Sequence, residues 1–252
     1  MRGEEYKNYF DKDYFETAGI RSFYSTSNYN RESYINEAIA QWLFQTLLDS
    51  GYDIRQAKTL EIGCAYGWVV EEVLKLGVDV YGQDISNYTI SSCPKAVKGR
   101  VVECQSFEIA FNEKFDFVYS IETFEHIPQE SVPVYFNNIY HSMNPYGLIF
   151  CTICLGHNND RGKQDIDISH QTLQPRKWWV HQFENTGFIR RKDLEADCYE
   201  IGIQTPKMAK GEWLPRHYNW HMFCFERPES RKSRIMSIKD SEETVVSYYS
   251  EQ

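Results

Sequence analysis

Apolar residues recur at three- and four-residue steps through Ile35, Ile39, Trp42, Leu43 and Leu47, which predicts an amphipathic helix that Gly51 ends. Beyond it the period changes. The runs "KTLEIG", "VDVYGQD", "RVVECQ" and "FDFVYS" predict short buried strands, with helical spacing between the early ones. Val69, Val70, Val73, Leu74 and Leu76 mark a helix closed by Gly77, and Ser86 caps another that Pro94 breaks. "VPVYFNNIYHSM" is helical, after which Pro145 and Gly147 turn the chain into the strand "LIFCTI". "PRKWWVHQFENTGF" predicts a helix with proline near its start and Gly187 at its end. Finally, "CYEIGIQ" and "HYNWHMFCFE" have the length and residue types of a terminal hairpin. The alternation predicts an α/β fold: a doubly wound, mostly parallel seven-stranded sheet with helices on both faces and a terminal antiparallel hairpin.

The flanks differ from this core. Residues 1–50 open with "YKNYFDKDYFETAGIRSFYSTSNYN", whose aromatics follow no clean period and read as loops and short turns, a candidate lid; residues 51–227 form the main domain, and residues 228–252 a polar tail. The chain's 252 residues suit one sizeable domain with a small appendage. A net charge of -9 argues against a protein that grips phosphate backbones, so no nucleic-acid partner is expected. No run of about 18 apolar residues occurs and the start lacks an apolar signal core, so no membrane insertion and a cytoplasmic location are expected. The seven cysteines fall mostly in apolar runs, and the one CxxC, Cys151 to Cys154, lies in a strand-like run where residues three apart face opposite ways.

Polar groups cluster where the predicted strands end, the edge at which open α/β sheets bind ligands. After the first strand come Glu61, Gly63, Cys64, Ala65 and Gly67; after the second, Asp84; after the third, Gln105 and Ser106; after the fourth, Ser120, Glu122, Glu125 and His126. The dinucleotide pattern GxGxxG is absent, which weakens a nicotinamide-dependent dehydrogenase reading. A carboxylate at Glu61 would repel a pyrophosphate but could pair with a cationic amine. Asp84, at the end of the next strand, can accept both hydroxyls of a ribose. An amine and a ribose together describe S-adenosylmethionine. The blander alternatives are a helix-capping Glu61 and a turn-forming Asp84.

Four segments in order carry a resemblance: "LEIGCAYGWVVEEVLKLGVDVYGQDIS", "FDFVYSIETFEHIP", "YHSMNPYGLIFCT" and "DISHQTLQPRKWWVHQFENTGF". Over roughly residues 55 to 190 the chain resembles the class I S-adenosylmethionine-dependent methyltransferases. The resemblance implies that cofactor and a Rossmann-like fold. It implies that Gly63 and Ala65 let the backbone approach the methionine part, in a turn that includes Cys64 and Gly67 and that Glu61 orients. Asp84 would hold the ribose, Ile85 would pack on the adenine, and Gln105, Ser106 and Phe107 would line its other edge, with Ser120 and Ile121 beneath the methionine. Two departures stand out: Ala65 replaces the usual middle glycine, which requires a negative φ there, and Gln105 replaces a common aspartate. In the N-terminal segment, Arg21 could pair with the cofactor carboxylate, and Tyr24 and Tyr29 could cover the sulfonium.

Methyl transfer to a hydroxyl needs positioning and removal of a proton. His126 and His170 are the candidate bases, with Glu122 beside them and His157 a weaker choice. No metal is expected, although Asp165 and Asp167 with Glu122 would offer oxygen ligands. The Asn/Asp-Pro-Pro-Tyr run of amino-group methyltransferases and the Pro-Cys dipeptide of cytosine methyltransferases are both missing. What remains is O-methylation of a small molecule or of a sugar or glycan, the latter because the N-terminal segment resembles those of sugar-tailoring methyltransferases. An N-methyltransferase acting on a small molecule and a non-catalytic cofactor-binding partner are the alternatives, and a homodimer is allowed.

Overall fold

The computed structural model describes residues 8–16, 31, 34–49, 51, 53–104, 107–155, 169–196 and 222–229. Strands β1 (Lys58–Ile62), β2 (Asp79–Asp84), β3 (Val101–Glu103), β4 (Phe115–Ile121), β5 (Met143–Thr152), β6 (Ile189–Arg190) and β7 (Met222–Glu226) form one sheet in the order β3-β2-β1-β4-β5-β7-β6. The first five pair in parallel, and β7 runs antiparallel to both β5 and β6. Strand order reverses between β1 and β4, which opens a crevice at their carboxyl ends.

Both faces of the sheet are covered, which is why its central strands read as near-continuous apolar runs. One face packs with Trp42, Val70, Phe117, Tyr119 and Phe150. The other packs with Leu60, Ile62, Val118, Phe136, Phe183 and Phe225, and there Phe183 stacks on Phe136 at 4.0 Å and on Phe225 at 4.3 Å between ring centroids.

The helices are α1 (Lys12–Glu16), α2 (Tyr34–Asp49), α3 (Trp68–Lys75), α4 (Asn87–Ser91), α5 (Val132–Ser142) and α6 (Arg176–Thr186). The predicted stripe of α2 is buried at Ile39, Trp42, Leu43 and Leu47, and the Gly51 amide closes the helix onto Leu48 O with φ +79°. Arg31 anchors the chain ahead of α2, its guanidinium forking onto the buried Glu71 carboxylate of α3 at 2.6 and 3.0 Å. Ser86 caps α4 as predicted, its Oγ accepting from the Thr89 amide.

Two elements differ from the sequence pattern. The expected turn at Pro145–Gly147 lies inside β5 as an irregularity, with Tyr146 at φ +63° and a register shift opposite Phe115 and Phe117. The second is the two-residue β6 just after Gly187, which the pattern does not announce and which pairs antiparallel with β7, as β5 does; "HYNWHMFCFE" supplies β7, and "CYEIGIQ" lies outside the described residues. Among the described residues no helix is long and apolar enough to cross a membrane. Cys151 is buried in β5, Cys154 lies past its end, and neither is in a disulfide.

Candidate active site

A cleft enclosing about 710 Å³, counting the open solvent at its mouth, lies at the carboxyl ends of β1, β2 and β4. Its floor begins with the turn after β1. The Gly63 and Cys64 amides both donate to Gln83 O, at 2.9 and 3.1 Å, and the Gly67 amide donates to Cys64 O at 2.7 Å. Gly63 and Ala65 line the cleft; Cys64 and Gly67 shape the turn without reaching it. A Cβ on Gly63 would stand 2.2 Å from Thr123 Oγ1, so β1 and the β4 loop approach each other only because that side chain is missing. Ala65 has φ +45°, not the negative value that an alanine in this place was expected to need. The turn holds the residue in the left-handed region that the usual glycine would occupy without strain.

Asp84 ends β2 and explains that strain. Its Oδ2 accepts the Ala65 amide at 2.8 Å and its Oδ1 accepts the Ser86 amide at 2.8 Å, so one carboxylate fixes both the turn after β1 and the start of α4. Burial pushes its carboxyl above the usual range, and the Ser86, Ala65 and Ile85 amides pull it back. Asp84 and Ile85 line the cleft. Gln83, fully buried, accepts from Ala110 N at 3.0 Å and donates to Glu108 O at 2.8 Å, which pins the loop after β3. In that loop Phe107 also faces the cleft, at φ +67° with its carbonyl accepting from Asn138.

Glu61 stands under the turn after β1. Its carboxylate does not line the cleft but lies buried beneath it, accepting from the Tyr119 hydroxyl at 3.2 Å. Burial pushes its pKa up to about 8, against the Tyr119 hydrogen bond and with the Asp84 charge adding to the rise. The Val70 amide also reaches it, so Glu61 braces the turn from below. Ser120 and Ile121 do not line the cleft either: Ser120 Oγ donates to Ile62 O at 3.0 Å, and Ile121 packs against the core. Both hold β4 in place.

The loop after β4 carries the reactive groups. Glu122, at φ +48°, is fastened by its amide to Thr152 O and Oγ1, each at 3.1 Å, and lines the cleft with Thr123, His126 and Ile127. A 3-10 turn, Phe124–His126, follows, anchored by the fully buried Phe124 ring. Glu125 carries the next connection. Its carbonyl accepts the Gln171 and Thr172 amides, both at 2.9 Å, and this ties a segment far along the chain to the β4 loop. His170 is thereby held with its ring centroid 4.6 Å from that of His126 and its Nε2 4.0 Å from Glu125 Oε1. The Glu125 carboxyl is fully buried and accepts the Cys154 amide at 3.2 Å. Burial, and then the Glu122 charge beside it, push it well above the usual carboxylate range.

The structure thus brings together Gly63, Ala65, Asp84, Ile85, Phe107, Glu122 and His126 around one cleft, with His170 directly behind His126. Arg21, Tyr24, Tyr29, Gln105, Ser106, His157, Asp165 and Asp167 lie outside the described residues. The covering aromatics that sequence reasoning missed are Phe10, Tyr14 and Phe15, at α1 and just before it. Phe10 and Tyr14 set their rings edge-on to His126, at 5.6 and 6.5 Å between centroids. Their signal in the sequence was the density of aromatics in this segment, because Phe10 precedes α1 and no helical period links it to Tyr14 and Phe15.

The glycine turn and the aspartate ending the next strand meet in one crevice at the switch point, the place where open α/β sheets take ligands. A family model described as "Methyltransferase domain" matches residues 30–205. The ubiquinone biosynthesis O-methyltransferase of Sinorhizobium medicae is 28% identical over 199 residues, 76% of this chain and 77% of that protein. Among solved structures, an O-methyltransferase from a trans-AT PKS multienzyme of Brevibacillus brevis, bound to S-adenosyl-L-homocysteine, aligns with a TM-score of 0.50 at 15% identity, covering 87% of this chain and 84% of its own. A phosphoethanolamine N-methyltransferase from Haemonchus contortus, bound to S-adenosyl-L-methionine, gives 0.50 at 18% identity, covering 83% and 61%. The chain belongs to the methyltransferase-domain family: it is a class I methyltransferase, and S-adenosylmethionine is its cofactor.

Proposed function

We propose that this methyltransferase acts on a hydroxyl oxygen of a small-molecule or sugar acceptor that enters the cleft beside the cofactor. The observation that supports this is the placement of His126 and Glu122 in the same cleft as the Gly63 turn and Asp84. Methyl transfer forms one carbon–oxygen bond and breaks the carbon–sulfur bond, whose electron pair returns to sulfur and leaves S-adenosylhomocysteine. The hydroxyl proton has to go somewhere, and the His126–His170 pair with its neighbouring carboxylates is the proton-accepting group within reach of the cleft. Phe10, Tyr14 and Phe15 give the cleft an apolar cover suited to an acceptor with a ring or a short apolar body. The names of relatives 24–28% identical, all O-methyltransferases, support oxygen as the acceptor atom.

The test is incubation with methyl-labelled S-adenosylmethionine and a panel of phenols, sugars and amines, followed by mass spectrometry. A gain of one methyl group on hydroxyl acceptors is expected. Methylation confined to amines would overturn the oxygen assignment, and cofactor binding without turnover on any acceptor would favour a non-catalytic role.

A further inference from the structure

Gln83 lies near the end of β2 at 2% exposure and grips the loop after β3 by both ends of its side-chain amide. Nε2 donates to Glu108 O at 2.8 Å, and Oε1 accepts the Ala110 amide at 3.0 Å. The reverse orientation would set oxygen against oxygen and N–H against N–H, so the direction of the amide is fixed. The side chain takes the place of a strand partner for the loop. Its Nε2 also reaches the Tyr135 hydroxyl of α5 at 3.3 Å, and its main-chain carbonyl takes the Gly63 and Cys64 amides. One residue therefore joins the turn after β1, the loop after β3 and α5.

That loop is strained where it faces the cleft. Phe107 has φ +67°, a left-handed backbone for a bulky residue. Such a conformation persists only where its surroundings over-determine it. Here Asn138 holds the Phe107 carbonyl at 2.7 Å, the Cys104 thiol reaches Glu108 O at 3.2 Å, and Gln83 holds the residues that follow. The result is a flat apolar slot. Phe107 packs with Ile85, and its ring stands edge-on to Tyr135 at 6.0 Å between centroids. Gln83, Ile85, Cys104, Phe107 and Tyr135 all line the cleft, as does Asp84.

We propose that Gln83 is a positioning residue that fixes the Phe107–Ala110 loop as a preformed wall and so sets the site's preference for an adenine base. A purine is a flat apolar body whose edge carries hydrogen-bond donors and acceptors. Backbone groups read that edge only if they are held in place. A wall that shifts slightly keeps its stacking surface and loses the match to the edge. This rests on S-adenosylmethionine lying in this cleft with its ribose at Asp84, and not on the acceptor being a hydroxyl.

The experiment titrates the full chain calorimetrically with S-adenosylhomocysteine and with S-inosylhomocysteine, in which an oxygen replaces the adenine amino group and the neighbouring ring nitrogen carries a proton. The parent is expected to favour the adenine compound by at least about tenfold. Gln83→Leu, close in volume but without the amide, should compress that preference to about threefold or less, chiefly by weaker binding of S-adenosylhomocysteine. A merely structural role would weaken both compounds alike and leave their ratio unchanged, and that result overturns the proposal.

Gln83→Glu gives a second reading that does not depend on the leucine variant folding. Its protonated carboxyl can donate to Glu108 O and accept from Ala110, whereas the ionised form can only accept. The preference should approach the parent's at about pH 5 and fall away at about pH 8. Asp84, Cys104, Glu108 and Tyr135 around it, and Glu61 beneath the turn, titrate in the parent too, so the parent's ratio at each pH is the reference. A Gln83→Glu ratio equal to the parent's at both pH values, or a parent that binds both compounds equally, overturns the assignment. A parent that binds neither compound would instead strike the placement of the cofactor in this cleft, and the proposal with it.

Discussion

The Ala65 amide donates to Asp84 Oδ2 at 2.8 Å, which joins the turn after the first strand to the carboxylate that ends the second. One side chain therefore does two things: it shapes the turn after β1 and offers its remaining lone pairs to the cleft. Asp84→Ala should remove both. S-adenosylhomocysteine affinity measured by calorimetry is expected to fall at least about a hundredfold, the size of two lost charge-assisted hydrogen bonds. Asp84→Asn, with one carbonyl oxygen left to accept, should fall in between. Equal affinity of Asp84→Ala and the parent chain would sink the assignment.

Ala65 pays for its amide contact with a left-handed backbone at φ +45°. Ala65→Gly should relieve that strain and raise unfolding free energy by about 0.5–1 kcal/mol, despite the extra freedom glycine gains when unfolded. Urea denaturation of the two chains checks this, and a less stable glycine variant would show that the turn is not strained.

Gly63→Ala runs the opposite way. The new methyl would meet the Thr123 side chain at 2.2 Å and carry a φ of +76°. A loss of about 1–3 kcal/mol is expected, with weaker cofactor binding, because the β4 loop must shift. Adding Thr123→Gly should restore part of the stability; no recovery in the double variant would place the strain in the backbone alone.

Glu61 gives a pH dependence. Its folded pKa, pushed up to about 8 by burial, lies above the ordinary value of 4.5. The folded state then holds a proton that the unfolded state has lost, so stability is full below about pH 4.5, declines between the two values and reaches its floor above about pH 8. Glu61→Gln, neutral throughout, should flatten this slope and be more stable than the parent at pH 8 by an amount on the order of a few kcal/mol. Denaturation midpoints at pH 5 and pH 8 decide it. Parallel pH slopes for the two chains would contradict the raised pKa.

The central sheet was readable because parallel strands buried on both faces leave continuous apolar runs, and "KTLEIG", "VDVYGQD" and "FDFVYS" became β1, β2 and β4. Asp84 and Gly63 were readable for the same reason, since they sit at fixed offsets from those runs. For Glu61, period-two alternation says that it leaves the Leu60–Ile62 face, yet not that Tyr119 and Val70 meet it there. Ile189–Arg190 is too short for any period to announce it. The His126–His170 pairing was out of reach altogether, because it depends on amides at Gln171 and Thr172 finding a carbonyl at Glu125, a long-range contact that leaves no periodic trace.

The Ser86 hydroxyl, besides capping its own helix, donates to Phe10 O at 2.5 Å, and Tyr88 donates to Glu16. The aromatic cover is therefore moored to the short helix whose capping residue Asp84 holds by its amide. Floor and roof of the cleft hang from one post at the end of β2. A ligand that settles against Asp84 and steadies that post steadies the roof as well, so binding at the floor of the cleft and the ordering of its aromatic cover are coupled.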